Sequence, residues 1–223
     1  MIGYLLVACK TSSNDPTPTG SVKDCSSLTG LEKVVCLAEN FKATLSTSQL
    51  AVVQLDYSKA NAVKWSNLPQ ALVQTKRVGI SFAELSATQK DAAQALLKEV
   101  TGTAANEGYS ELLQIMGADN YLNANGGGAT YGDGNYYIAF LGTPSTTGLW
   151  ELQFGGHHFA LANSYNQGKL VGGTPSFRAV EPMAAFALSG AQVQPIEQER
   201  KRSEEHTSEL QSPCNLVCRL LLE

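Results

Sequence analysis

The stretch Y-G-D-G-N-Y-Y-I-A-F-L-G-T-P-S-T-T-G-L-W-E-L-Q-F-G-G-H-H-F-A-L-A-N, from Tyr131 to Asn163, decides how this chain is read. Within it, Asn135 to Leu141 is rich in aromatic and β-branched residues and is bounded by G-D-G and G-T-P-S, the pattern of a strand between turns. From Trp150 to Phe154 the residues alternate: Trp150, Leu152 and Phe154 on one face, Glu151 and Gln153 on the other, as in a half-buried strand. The connection T-P-S-T-T-G is short enough for a hairpin. Gly155-Gly156 interrupts the alternation, as a bulge or a close backbone approach does, and His157 to Ala162 resumes extended structure. This reading places two adjacent imidazoles just past a kink in the second strand.

Upstream of the hairpin the pattern is helical. Leu31, Val34, Val35, Leu37, Ala38 and Phe41 recur at helical spacing and predict a helix that buries one face. Two later helices open on the same device, Leu45-Ser46-Thr47-Ser48-Gln49 and Leu85-Ser86-Ala87-Thr88-Gln89. Each is a capping box in which Ser and the Gln three residues on satisfy free backbone N–H groups. Trp65 to Pro69 is expected to end the second helix, because proline disfavours helical geometry in the residue before it. Arg77 to Ser81 reads as a short strand, Ser86 to Val100 as a third helix stopped by Thr101-Gly102, and Gly108 to Leu122 as a fourth burying Leu112, Leu113, Ile115 and Met116. Gly126-Gly127-Gly128 lacks the lysine and the strand-to-helix setting of a phosphate loop. Downstream, Asn166-Gln167-Gly168 reads as a hairpin turn, and Phe186–Leu188 with Gln192–Gln194 as another hairpin. Helices first and strands later predict an α+β fold, with N-terminal helices packed on one face of an antiparallel sheet.

The blocks F-L-G-T-P-S, W-E-L-Q-F-G-G-H-H and T-P-S-F-R-A-V-E-P (Thr174 to Pro182) resemble an uncharacterised bacterial family. It is the domain-of-unknown-function family numbered thirty-five hundred, whose members carry a Gly-His-His element. The resemblance runs from about Cys25 to Glu199. It implies an exported location and supplies no activity.

Residues 1–24 read as a lipoprotein-type signal and polar tether. Leu6-Val7-Ala8-Cys9 resembles a bacterial lipobox and makes Cys9 the expected lipid anchor, although no Lys or Arg precedes the short apolar run. The expected location is the bacterial cell envelope or the exterior, with membrane contact only through that lipid. Residues 25–201 read as a single α+β domain, broken off at its C-terminal side. Residues 202–223 carry R-S-E-E-H-T-S-E-L-Q-S and N-L-V-C-R-L-L-L, which resemble translated sequencing adapter, so His206, Cys214 and Cys218 are set aside. The chain carries a formal charge of −4. Acids remain in slight excess without the tail, a balance that gives no field to recruit nucleic acid. In an exported protein Cys25 and Cys36 are expected to form a disulfide; a buried thiol at Cys36 is the alternative.

Candidate chemistry centres on His157 and His158. In extended backbone consecutive side chains point to opposite faces, so only one imidazole enters a given pocket unless the glycine pair relaxes the rule. As catalytic groups we take His157, His158 and Glu151, with one imidazole as general base and Glu151 or Asp133 orienting it. The cofactor expectation is a divalent metal on His157 and His158, with Glu151, Asp133 or Glu181 as the available carboxylates. No H-E-x-x-H, paired C-x-x-C or G-x-S-x-G supports a named enzyme class. Candidate ligand-binding residues are Asp133, Tyr136, Trp150, Gln153 and Arg178. Tyr131, Tyr136, Tyr137 and Trp150 could stack on a sugar ring, although core packing or cross-strand pairing explains most of them more cheaply, and Arg178 could bind an anion or pair with Glu181, pairing being favoured. Three readings stand: a cell-surface hydrolase-like enzyme, a non-catalytic module binding a carbohydrate or small molecule, and a structural surface protein.

Overall fold

The computed structural model describes residues 20–197 and Lys201. The lipid-anchor expectation at Cys9 and the adapter-like tail with His206, Cys214 and Cys218 lie outside the described residues. The fold is α+β, and its element order runs from helices to strands.

Helix α1 (Gly30–Ala43) buries Val34, Ala38 and Phe41 of the predicted face and leaves Leu31, Val35 and Leu37 partly buried against the core; Cys36 is buried as well. Cys36 is bonded to Cys25. Both capping boxes form: Ser46 caps α2 (Thr47–Val53) and Ser86 caps α4 (Ala87–Thr101), each accepting from the backbone N–H of its Gln. The two boxes also join each other. Gln49 Nε2 donates to Gln89 Oε1 at 3.1 Å, and Gln89 Nε2 reaches both Gln49 Oε1 and the Thr44 carbonyl at 2.9 Å. Residues 40 apart thus fix the starts of two helices against one another. A third capping box, Ser81 with Glu84, opens a short 3-10 turn, and its hydroxyl holds the Glu84 carboxyl below the usual range.

The second helix is shorter than its sequence suggests. It ends at Val53, where Gln54–Leu55 leaves as strand β1, and a separate turn α3 (Lys59–Ala62) precedes Trp65. Val52-Val53 favours extended backbone over helix, and the edge of the sheet offers β1 a partner. Strand β2 (Ile80–Ser81) falls inside the predicted segment. Helix α5 (Tyr109–Leu122) buries Leu112, Ile115 and Met116 but leaves Leu113 39 % exposed, so Leu113 is not a core residue.

The sheet runs β1-β3-β4-β5-β6, with β2 also paired to β3 and β7 (Ser176–Arg178) to β5. Its centre is β3 (Tyr137–Leu141), β4 (Trp150–Gly156) and β5 (Phe159–Asn166), all antiparallel. β6 (Lys169–Gly172) follows the predicted turn, and β8 (Phe186–Leu188) with β9 (Ala191–Val193) makes a separate hairpin. One pair departs from the all-antiparallel expectation: β1 runs parallel to β3.

Both faces of the central strands are covered. Trp150, Leu152 and Phe154 face the helices, in a core with Phe41, Leu45, Leu96 and Ile115. The opposite face packs Ala139 and Leu141 under Val78, Leu55 and Ala62. The strand read as half-buried is therefore buried along both faces, because the segment between α2 and β2 folds over what the alternation marks as its polar side.

Candidate metal centre at the hairpin tip

Register places the histidines differently from the sequence reading. Gly155 pairs with Ala160 and Gly156 with Phe159, so the glycines continue the ladder and His157-His158 is the two-residue turn joining β4 to β5. A side chain at Gly156 would meet the Tyr136 ring at 2.7 Å, and one at Gly155 the Phe159 carbonyl at 2.6 Å. The pair serves close packing within a straight strand, and the change of direction is made by the histidines themselves. His158 adopts φ 63°, a left-handed conformation uncommon for a residue with a side chain.

That turn is held from several sides. The Tyr136 hydroxyl donates to the His157 carbonyl at 2.6 Å, the His158 N–H donates to the Asn67 carbonyl at 2.9 Å, and the Ala179 N–H donates to the His158 carbonyl at 2.9 Å. A turn lifts the alternation of a strand, and both rings come together with centroids 3.8 Å apart. Tyr131 closes on His157 edge to face at 5.1 Å.

Two carboxylates meet the imidazoles. Asp119, on α5 and 2 % exposed, accepts from His157 Nδ1 at 2.7 Å through Oδ1 and from the Gly132 N–H at 3.0 Å through Oδ2. In the neutral ring this bond places the proton on Nδ1 and the lone pair on Nε2. Glu181 approaches from the other side, its Oε2 lying 3.6 Å from His157 Nε2 and 3.5 Å from His158 Nε2. Those separations are too long for hydrogen bonds. Two ligands held 2.0–2.1 Å from one ion at tetrahedral angles stand about 3.3 Å apart, so the spacing matches the edge of a coordination shell. One ligand atom from each of His157, His158 and Glu181 lies within 4.8 Å of the others.

His158 Nδ1 is buried with no hydrogen-bond partner. Burial lowers the His158 pKa, the neighbouring His157 lowers it further, and Glu181 opposes both. Metal binding takes a neutral imidazole, and for His158 Nε2 to be the ligand its proton must sit on the unpartnered Nδ1. His157 is 5 % exposed and Glu181 side chain 54 %, so the cluster is anchored inside and reached from solvent at the Glu181 side.

The other candidates are placed elsewhere. Glu151 sits six residues back along β4, about 20 Å of strand from His157. It is buried there, accepting from Gln153 Nε2 at 2.8 Å and Ser164 Oγ at 2.6 Å, so it does not orient a histidine. Alternation gave its face correctly but not its distance along the strand. Gln153 is buried and bonded to Glu151 and the Ala62 carbonyl. Asp133 is exposed on a 3-10 turn, where its N–H donates to Asn120. Trp150 is fully buried, stacked on Tyr165 at 4.5 Å with its Nε1 donating to the Ser145 carbonyl, and offers no platform to a sugar. Tyr136 is equally buried, and burial raises its hydroxyl pKa well above the ordinary value. Arg178 does not pair with Glu181: its Nε meets the buried Glu111 Oε2 at 2.8 Å, one terminal nitrogen donates to Ser176 Oγ, and its head lies over the Phe159 ring. The residue that sequence reasoning missed is Asp119. It lies 38 positions from His157 in a helix where Asp reads as an ordinary polar residue, and no local signal marks it.

Among the described residues, no helix is long and apolar enough to cross a membrane. No curated protein and no solved structure matches the chain. A family model does match, over residues 28–214, its last part overlapping the stretch from Arg202 that reads as adapter. Its description is "Protein of unknown function (DUF3500)", and the chain, matched over most of its length, belongs to that family.

Proposed function

We propose that the hairpin tip is a divalent transition-metal site and that the chain is an exported, metal-dependent hydrolase-like protein of the cell envelope. One observation carries this reading: two imidazole nitrogens and a carboxylate oxygen converge at coordination-shell spacing, with one imidazole backed by a buried aspartate. Two histidines and a glutamate are a donor set suited to zinc, and three protein ligands leave a position for water or substrate. When bound, the ion supplies Lewis acidity and a water acidified toward neutrality. The residues do the rest. Asp119 orients His157 through the hydrogen bond at Nδ1. Glu181, reached by solvent, balances charge and can accept a proton at its free oxygen. Tyr136 and Asn67 hold the turn main chain so that both rings keep one orientation. The Cys25–Cys36 disulfide supports export to an oxidising compartment.

A second reading rests on the same Asp119–His157 bond. Without metal, that pair is an acid-base dyad in which His157 Nε2 removes a proton from substrate or water.

Metal content and thermal stability of the purified full chain separate the two. The first reading expects about one equivalent of zinc or a similar ion, loss of it in Glu181→Gln and His158→Ala, and esterase or glycosidase activity abolished by chelator. Activity that survives chelator and falls with His157→Ala supports the dyad instead. A chain that stays metal-free after exposure to zinc refutes the metal site.

A further inference from the structure

Beside the hairpin tip, the outer face of the sheet carries a groove made of two adjoining depressions. The first is narrow, about 20 Å³, and is lined by Trp65, Tyr137, Gly155, Ala160 and Pro175. The second is open and wider, about 350 Å³, and runs past Val52, Leu55 and Gly79. Lys64, Arg77 and Val78 line both, and Lys76 joins them in the second. Among the described residues no Asp or Glu lines either depression, although the chain as a whole is acidic.

Arg77 is the built part. It is 6 % exposed, and its terminal nitrogens donate to Gln70 Oε1 at 3.0 Å, the Ser66 carbonyl at 2.7 Å and the Leu68 carbonyl. All three acceptors are neutral, and Nε is buried with no hydrogen-bond partner. Among the described residues this buried guanidinium has no contact ion pair, the Asp119 carboxylate acting on it only through space, and a counter-charge arriving in the groove would stabilise it further. Pinning the loop at 66–68 accounts for the donors at its tip. It does not account for two further lysines on the same groove, or for Trp65 standing 44 % exposed beside Lys64.

We propose that this groove binds an acidic oligosaccharide, with uronate carboxylates at Lys64, Lys76 and Arg77 and a sugar ring against Trp65 and Tyr137. Small-molecule sites enclose most of their ligand, and a depression as open as the second suits a segment of polymer instead. An exposed indole with a half-buried tyrosine beside cations gives ring stacking and charge recognition together. A nucleic acid offers the same chemistry at higher charge density, but the acidic balance of the chain disfavours it. The Asn67 carbonyl, between the two carbonyls that Arg77 holds, bonds the His158 N–H, so a chain lying in the groove passes beside the histidine tip. The binding claim itself does not depend on a metal there.

Titration calorimetry of the full chain with tetragalacturonate, repeated in chelator, tests it. The expected result is saturable binding that weakens with added salt and is unchanged by chelator. The fully methyl-esterified tetramer should bind about ten-fold or more weaker, as should Lys64→Ala/Lys76→Ala acting on the acid form. Trp65→Ala should cost about ten-fold for both forms. These substitutions are at the surface and keep the test usable where Arg77→Gln fails to fold. Equal binding of acid and ester, absence of saturation at millimolar tetramer, or tighter binding of oligo-deoxythymidine would each overturn the proposal. Loss of hydrolytic activity on metal removal with tetramer binding intact would separate this inference from the catalytic reading.

Discussion

The β4–β5 hairpin buries a carboxylate near each end, and the two are spent differently. At the Trp150 end, Glu151 gives one oxygen to Gln153 and the other to Ser164, both neutral donors. At the turn, Asp119 gives one oxygen to a backbone N–H and the other to an imidazole that can change its proton. Both acids are satisfied, as buried polar groups must be. Only the second is wired to a group that faces an acid from the solvent side. Burial of a carboxylate is therefore no sign of chemistry by itself; the nature of its partner is.

Substitutions at the two ends should separate stability from site chemistry. The largest effect is expected for Trp150→Ala, which removes a fully buried indole stacked on Tyr165 and should cost about 3–5 kcal/mol in denaturant unfolding while leaving metal stoichiometry unchanged. Asp119→Asn should weaken metal affinity about 10–100-fold in a competition titration, because the His157 proton loses its anionic acceptor. The equivalent change at the other end, Glu151→Gln, should cost about 1 kcal/mol of stability and nothing in metal affinity. If the two substitutions behave alike in the metal assay, the contrast drawn between the ends fails.

The smallest effect is a pH dependence confined to the turn. Burial depresses the His158 pKa in the folded chain, so on acidification the unfolded chain takes up this proton first. Stability should be complete above the ordinary imidazole pKa and decline as pH falls from there through the lowered folded value. Melting temperature measured in chelator should show that slope, and His158→Gln should flatten it.

Local chemistry explains what was legible in the sequence. A capping box involves residues three apart, and both L-S-x-x-Q boxes form as written. The strand at Trp150–Phe154, the turn at Asn166 and the last hairpin around Gly190 follow from alternation and turn residues in the same way. Long-range partners were not legible. Alternation tells which face Glu151 takes and nothing of how far it stands from the turn. G-G before H-H reads as a kink because glycine frees the backbone; here the Tyr136 ring, 20 positions earlier, requires the missing side chain. Trp150 and Tyr136 read as candidate binding aromatics, although core packing explains such residues more cheaply, and the helices on that face decide for core. Glu181, one carboxylate among several candidates, becomes distinct only when β7 pairs with β5 and brings the following loop over the tip.

The reciprocal amide contact between Gln49 and Gln89 has a dynamic consequence. Each glutamine caps its own helix through its side-chain oxygen and reaches across to the other through its nitrogen, so fraying one first turn releases an acceptor needed by its neighbour. Amide exchange at the starts of α2 and α4 should then report a single opening event, and Gln89→Ala should speed exchange at both helices although it removes a cap from only one.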